Sequence, residues 1–290
     1  MKGKQVVSGH IYAILSVLIW GATYVASDWL LQFYTAMQLL LLRFVLAYLV
    51  LLMLKPKFLP VKSVWQELTI LLISATGVLG YYFLETRAIF HGGATNVSIL
   101  ISTAPMWTLV LLCITTKKTM RLRHLLGFLA AIAGVVLVVY NGAKISFSTN
   151  ASALLCACGA CICWAIYSLL LDKLRNTDSI LLTKRMLGYS LIFMLPATLL
   201  LDGVPDFKPL FSLTGAGAIG ILGIFGSGLC YVWWKKAIEK AGVVASGNYI
   251  YLIPFVTMLV AVLFGWETVS VTGIIGSALI VSGIIITGRG

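Results

Sequence analysis

Ten apolar stretches, each near the length needed to cross a lipid bilayer, follow one another through this chain with short connections between them. They run at about 9–29, 36–54, 67–90, 94–115, 122–141, 151–171, 179–200, 212–236, 243–265 and 271–288. A spanning helix takes about 20 residues, so ten spans use most of the 290 and leave no room for a soluble domain. The connection with most character is 202–211, which carries Pro205 and Pro209. Charge is scarce to match: 10% of residues are charged and 60% hydrophobic. A soluble domain of this size needs about 25% charged residues to coat itself, and a disordered chain is polar. The expected fold is an all-α polytopic membrane protein.

The net charge of +12 is an orientation signal. With ten spans, fifteen of the 21 Lys and Arg residues fall on the side of the N-terminus, among them Lys55, Lys57, Arg121, Arg123, Arg175 and Lys240. Three (Arg87, Lys144 and Lys208) fall on the other side, and three (Arg43, Lys184 and Arg185) lie within spans. This is the positive-inside bias, which puts both termini in the cytoplasm and makes lipid, not nucleic acid, the partner of the basic surface. The N-terminal run resembles a signal peptide but is long enough to span, and is expected to be retained. No ATP-binding loop of the G-x-x-x-x-G-K type is present. Gly215, Gly217 and Gly220 imitate a dinucleotide loop, but they lie in an apolar run with further glycines at 223, 226 and 228, which reads as close helix packing.

The chain repeats itself. At an offset of 149, Gly77 meets Gly226, Tyr82 meets Tyr231, Gly93 meets Gly242, Pro105 meets Pro254, Gly127 meets Gly276 and Gly134 meets Gly283. Looser twins precede these: Trp20 with Trp164, and Arg43 with Arg185. The expected units are two five-helix repeats, 1–143 and 144–290. Five spans is an odd number, so the second copy enters the membrane from the opposite side. Inverted repeats of this kind typify secondary transporters, with the substrate site near the midplane between the copies.

The second copy reads Tyr231-Val-Trp-Trp-Lys-Lys-Ala-Ile-Glu-Lys-Ala-Gly242, then Tyr251-Leu-Ile-Pro254, Gly265-Trp-Glu267, Gly273-Ile-Ile-Gly276 and Gly283. The first has Trp20-Gly21, Arg43, Gly92-Gly93-Ala94 and Pro105. Over essentially its whole length the chain resembles the EamA-type transporters of the drug/metabolite transporter superfamily. It departs from the pattern at Lys118, where the second copy has Glu267. The resemblance implies a ten-helix inverted-repeat carrier of the bacterial or archaeal plasma membrane, exporting amino acids or other small metabolites by alternating access. It implies no enzyme activity and no cofactor, and a monomer or weak dimer. An alternative is a membrane-embedded enzyme or flippase acting on lipid-linked substrates.

Polar groups within spans are costly and so mark candidate sites. Arg43 and Arg185, near opposite faces, suit gates or latches. Their fork also suits a carboxylate, while static pairing or snorkelling is the competing reading. The acids within reach are Asp28 and Glu85 for Arg43, and Glu67, Asp172 and Glu239 for Arg185. Glu85 could couple transport to a proton, or pair blandly with Arg87 or Arg43 at the outer surface. Thr95, Ser98, Ser102 and Pro105 share one helix face, and Asn248, Tyr251 and Pro254 lie in the twin span. These are read as a cavity wall with proline hinges, or as polar glue between helices. Trp20, Tyr24, Tyr81, Tyr82, Trp107, Trp164 and Tyr231 are candidate stacking surfaces for an amphipathic substrate. The expected cavity lies between spans one, three, four, six, eight and nine. Cys156, Cys158, Cys161 and Cys163 splay around one helix and read as packing residues, with no metal site.

Overall fold

The computed structural model describes residues 2–60, 62–92, 94–117, 119–139, 151–263 and 271–288. Among these the chain is helical, with no strand. Seven helical stretches are long and apolar enough to cross a membrane: 6–30, 36–54, 64–91, 151–173, 179–201, 213–241 and 243–260. Three shorter apolar helices lie at 104–116, 122–137 and 271–287. The outward faces are apolar, with Leu200 and Phe211 more than four-fifths exposed. Buried positions hold small residues, hydroxyls and aromatics, as expected when lipid is the outer solvent. Lys118, Lys144, Asn150, Trp266 and Glu267 lie outside the described residues, as does Gly93.

Helix ends follow local chemistry. Helix α1 (Lys2–Leu30) turns into α2 (Ala36–Leu54) through a capping box, in which the Gln38 amide donates to Thr35 Oγ1 and Thr35 N–H to Gln38 Oε1. Helix α3 (Val64–Ser74) passes through a π-helical segment, Ala75–Gly80, into α4 (Tyr81–Gly92). The expected fourth span is two pieces, α5 (Ala94–Ile101) and α6 (Ala104–Thr116), with Pro105 as the second residue of α6. Proline lacks the N–H that a continuing helix would use. Two donors pick up the carbonyls at this break: Thr103 Oγ1 bonds Leu100 O at 2.7 Å, and Cys161 Sγ lies 3.5 Å from the same oxygen. The polar strip of Ser98 and Ser102 therefore does not continue as one regular helix through Pro105.

The later elements echo the earlier ones. Helix α7 (Leu122–Val139) is followed by α8 (Ala151–Lys173) and by α9 (Ser179–Leu201), which Asp178 caps. Helix α10 (Leu213–Gly220) runs through a second π segment, Ile221–Leu229, into α11 (Cys230–Ala241). Gly242, at φ +90°, turns the chain into α12 (Val243–Gly247), a 3₁₀ stretch Asn248–Leu252, and α13 (Ile253–Leu263), where Pro254 is again the second residue. Helix α14 (Val271–Gly288) closes the chain. The ranges of α7 and α14 differ by 149 at both ends, and the first π segment maps inside the second at that offset.

Helices α7 and α14 pack on each other antiparallel, glycine to glycine. A Cβ on Gly134 would sit 2.5 Å from Gly276 O, and one on Gly283 would sit 2.5 Å from Gly127 O. Elsewhere the glycine reading needs correction. Gly223, Gly226 and Gly228 do abut neighbouring helices, but Gly217 and Gly220 face open space.

Buried cations gather the basic loops to one end of the bundle. Lys184 Nζ bonds the carbonyls of Lys55 at 2.7 Å and Lys57 at 2.6 Å. Lys235 Nζ bonds those of Arg175 and Thr177, and Glu239 at 2.9 Å. Lys55 pairs with Asp178 at 2.7 Å, and Lys240 bonds Ser8 Oγ at 3.0 Å. The turns around 31–38 and 201–202 meet at the other end, around a recess they share with Phe83, Arg87 and Phe90.

Candidate functional site

A small cavity lies between these two ends, walled by α1, α4, the α5–α6 break, α8 and the start of α13. Trp20, Tyr24, Tyr81, Tyr82, Glu85 and Trp164 line it, with Thr23, Ile101, Ala104, Ile250 and Ile253. It leaves about 20 Å³ for the centres of water molecules, enough for one or two.

Aromatic rings set its shape. Trp20 and Trp164, twins in the repeat, meet edge to face at 5.4 Å. Trp234 packs on both at 5.1 and 5.7 Å, and Tyr81 lies 4.9 Å from Trp164. Tyr82 and Tyr231, also twins, are 6.0 Å apart. Two bonds tie this cluster to the π segments: Trp20 Nε1 donates to Gly226 O at 3.0 Å, and Tyr231 Oη to Gly77 O at 2.6 Å. The π segments thus hold the inner wall in place, each through a residue from the other half of the chain. Wide π turns are common at functional sites.

Glu85 is the carboxylate of the cavity. Tyr24 Oη and Tyr81 Oη both donate to its Oε1, at 2.9 and 2.6 Å, and the residue is 7% exposed. The expected pairing with Arg87 or Arg43 at the outer surface is corrected: among the described residues Glu85 has hydroxyl partners and no ion pair. Arg87 instead lies over Phe83.

Arg43 stands behind the wall. Its guanidinium lies 4.1 Å from the centre of the Tyr82 ring, Nε donates to Ser227 Oγ at 2.8 Å, and one terminal nitrogen is buried with no hydrogen-bond partner. At 2% exposure it does not snorkel. Tyr82 therefore separates a buried cation from the cavity that holds a buried carboxylate.

Other candidates lie elsewhere. Arg185 pairs with Glu67 at 2.8 Å and donates to Leu59 O, at the basic end. Tyr251 is buried against Ala131, Val135 and Ile280, facing α7 and α14 rather than the cavity, because the 3₁₀ stretch turns its neighbours Ile250 and Ile253 inward. Trp107 is 37% exposed on the outer surface of α6. Ser98 in α5 and Ser102, the residue just past its end, are buried, and Ser102 Oγ bonds Ser98 O at 2.7 Å. Asn248 lines a separate recess at the basic end. Pro105 and Pro254 follow breaks in their helices beside cavity-lining residues. The hydroxyl of Thr23 and the unpaired Arg43 nitrogen are further features of the site that spacing alone did not single out.

The EamA-like transporter family model matches residues 7–140 and again 151–289. The chain belongs to that family. A protein of Archaeoglobus fulgidus named as an uncharacterised transporter is 29% identical over 294 residues, covering 96% of each chain. The Bacillus subtilis transporter YyaM, also uncharacterised, is 25% identical over 223 residues, 74% of this chain and 71% of that one. A protein of Streptantibioticus cattleyicolor named "Probable terminal-alkyne amino-acid exporter" is 25% identical over 222 residues, 76% of this chain and 72% of that one. A solved crystal structure superposes with a TM-score of 0.79 at 17% identity, covering 97% of this chain and 98% of that one, which shows a shared fold. This family member is a multi-pass membrane protein.

Proposed function

We propose that the chain is a secondary carrier that exports small amine-bearing metabolites, amino acids foremost, by alternating access around the cavity at Glu85. The observation that carries this reading is a buried carboxylate held by two tyrosine hydroxyls among the rings of Trp20, Tyr81, Tyr82 and Trp164. A carboxylate within an aromatic box favours an ammonium group, through charge and cation–π attraction. Arg43, one ring away and with no acidic partner among the described residues, supplies a fork for a substrate carboxylate once Tyr82 moves. Burying an unpaired charge in a membrane protein is costly, which favours a working role for both residues. Glu85 is also the proposed site for a coupling proton, taken up when the ammonium leaves.

The proposed frame is ten spans in two inverted repeats, 1–143 and 144–290, with both termini in the cytoplasm. The antiparallel α7–α14 pair, the twin π segments and the twin prolines support it. The names of the relatives favour a carrier over a membrane enzyme, and one of them is named for amino-acid export.

The test is transport in proteoliposomes. The purified chain is expected to move members of a radiolabelled amino-acid panel in response to a pH gradient, and Glu85→Gln to abolish that response. A protein that stays folded and moves no solute, with or without a gradient, overturns the reading.

A further inference from the structure

Helices α2 and α9 belong one to each matched half of the chain, and they run antiparallel, the N-cap of each beside the C-cap of the other. At one end Thr35, the N-cap of α2, donates Oγ1 to Oδ2 of Asp202, the C-cap of α9, at 2.5 Å. Gln38 Nε2 donates to Asp202 O at 3.0 Å, and Tyr34 Oη to Asp206 O at 2.6 Å. At the basic end the caps exchange roles. Lys55, the C-cap of α2, pairs with Asp178, the N-cap of α9, at 2.7 Å. Lys184, on the second turn of α9, adds its bonds to Lys55 O and Lys57 O at 2.7 and 2.6 Å. With 19 residues α2 is about 28 Å long, so the two straps stand near the two faces of a bilayer. Between them the helices touch directly: a Cβ on Gly188 would stand 3.4 Å from Cε2 of Tyr48.

The chemistry of these straps favours a permanent joint over a gate. The half-exposed Lys55–Asp178 pair alone would part at little cost. Lys184 would not, because it is 2% exposed and parting would strip both carbonyls from a buried ammonium. The strap side chains are also fixed by their own helices. Thr35 Oγ1 accepts from Gln38 N–H at 3.2 Å, and Asp178 Oδ1 accepts from Ile180 and Leu181 N–H, so little side-chain freedom is lost in making each strap. The cavity at Glu85 is built elsewhere. Among the described residues its lining comes from α1, α4, α5, α6, α8, the 248–252 stretch and α13, and none from α2 or α9. Helices that wall the cavity can therefore shift while this pair stays closed.

We propose that α2 and α9 remain joined at both ends throughout the transport cycle, as a fixed spine against which the cavity-lining helices move. The proposal rests on the carrier reading above. It gives Arg43 a definite part: α2 carries the cation on the spine, and Tyr82 on α4, 4.1 Å from it, is the ring that moves on and off it.

The test adds one cysteine pair at either end of the full-length protein: Thr35→Cys with Asp202→Cys, and Lys55→Cys with Asp178→Cys. A short, reducible bifunctional thiol reagent joins each pair, and mass spectrometry of the digest reads the yield of that particular crosslink. The parent, with its own six cysteines, is treated identically as the control. Both pairs are expected to crosslink to completion, with yields that are the same on either side of neutral pH. Each crosslinked protein is expected to keep at least about half of the transport rate that it shows after reduction. A lower rate at either end, with the parent unaffected by the reagent, overturns the proposal, since that strap must then open. Crosslink yields on the purified protein judge the pairing without any transport. A folded protein in which either pair fails to crosslink, or in which one yield falls as the other rises with pH, overturns the proposal too. A parent that moves no solute instead overturns the carrier reading, and the yields still decide whether the two helices stay paired.

Discussion

Tyr24 on α1 donates its hydroxyl to Oε1 of Glu85 on α4 at 2.9 Å, and so joins two helices through the carboxylate of the central cavity. Tyr81 donates to the same oxygen from one turn away. The first prediction concerns this cluster. Glu85→Gln is expected to cut gradient-driven transport by more than tenfold while the protein remains folded. Tyr24→Phe removes one bond to a charged acceptor, worth roughly 1.5–3 kcal/mol, and is expected to lower transport about tenfold or more. Initial rates in proteoliposomes, at matched incorporation, check both. Equal rates for Glu85→Gln and the parent would remove Glu85 from the mechanism.

Arg43 yields the second prediction. Arg43→Ala is expected to impair transport far more than Lys144→Ala. Arg43→Lys is expected to recover little, because an ammonium cannot reproduce both the stacking on Tyr82 and the bond to Ser227. Uptake assays of the three variants at equal expression decide it, and a fully active Arg43→Ala protein is the adverse result.

The glycine seam gives a third, which reads stability rather than activity. Gly134→Val puts a branched side chain where a single Cβ already meets the backbone of α14 at 2.5 Å. Overpacking of this kind costs roughly 1–3 kcal/mol, so the thermal midpoint of the variant should fall by several degrees. Gly217→Ala, whose Cβ meets nothing within 4 Å, should leave the midpoint almost unchanged. If the two substitutions prove equally mild, α7 and α14 do not meet in this way.

Asp178 supplies a pH-dependent prediction from outside the spans. Burial alone would raise its carboxyl pKa, but the bond from Lys55 and the amides of Leu181 and Ile180 outweigh that and hold it below the usual range. A carboxyl lowered in the folded state adds stability above its unfolded pKa, about 3.9, and loses it as the pH falls through the folded value. Asp178→Ala should therefore destabilise the protein near neutrality, by about 0.5–2 kcal/mol as an N-cap loss. The gap between parent and variant should close below about pH 4. Denaturation at pH 7 and at pH 3.5 measures both values, and a gap that widens in acid contradicts the assignment.

The sequence made some of this legible because lipid leaves a plain signature. Apolar length located the helices, and constant offsets of Gly and Pro located the twins. The mid-span position of Trp20 and Trp164 was enough to bring them to one cavity. Direction around a helix was harder to read. Tyr251 and Trp107 have the right composition and depth, but 3₁₀ stretches and a proline break set where they point. Neither break has a periodicity of its own. The environment of Glu85 was hidden for a related reason, since Tyr24 reaches it from 61 residues away. Arg87, its neighbour in sequence, proved the wrong partner.

The two π segments have a mechanical consequence. A π turn holds one more residue than an α turn, so the helix beyond it is out of phase by about 100° with the helix before it. Converting either segment to regular α-helix would turn everything downstream about its own axis by that amount. Tyr82 and Tyr231 lie immediately downstream, one in each half. Each ring is thus set around its helix by the phase the π segment imposes, so its direction is fixed by one extra residue well upstream of any contact it makes.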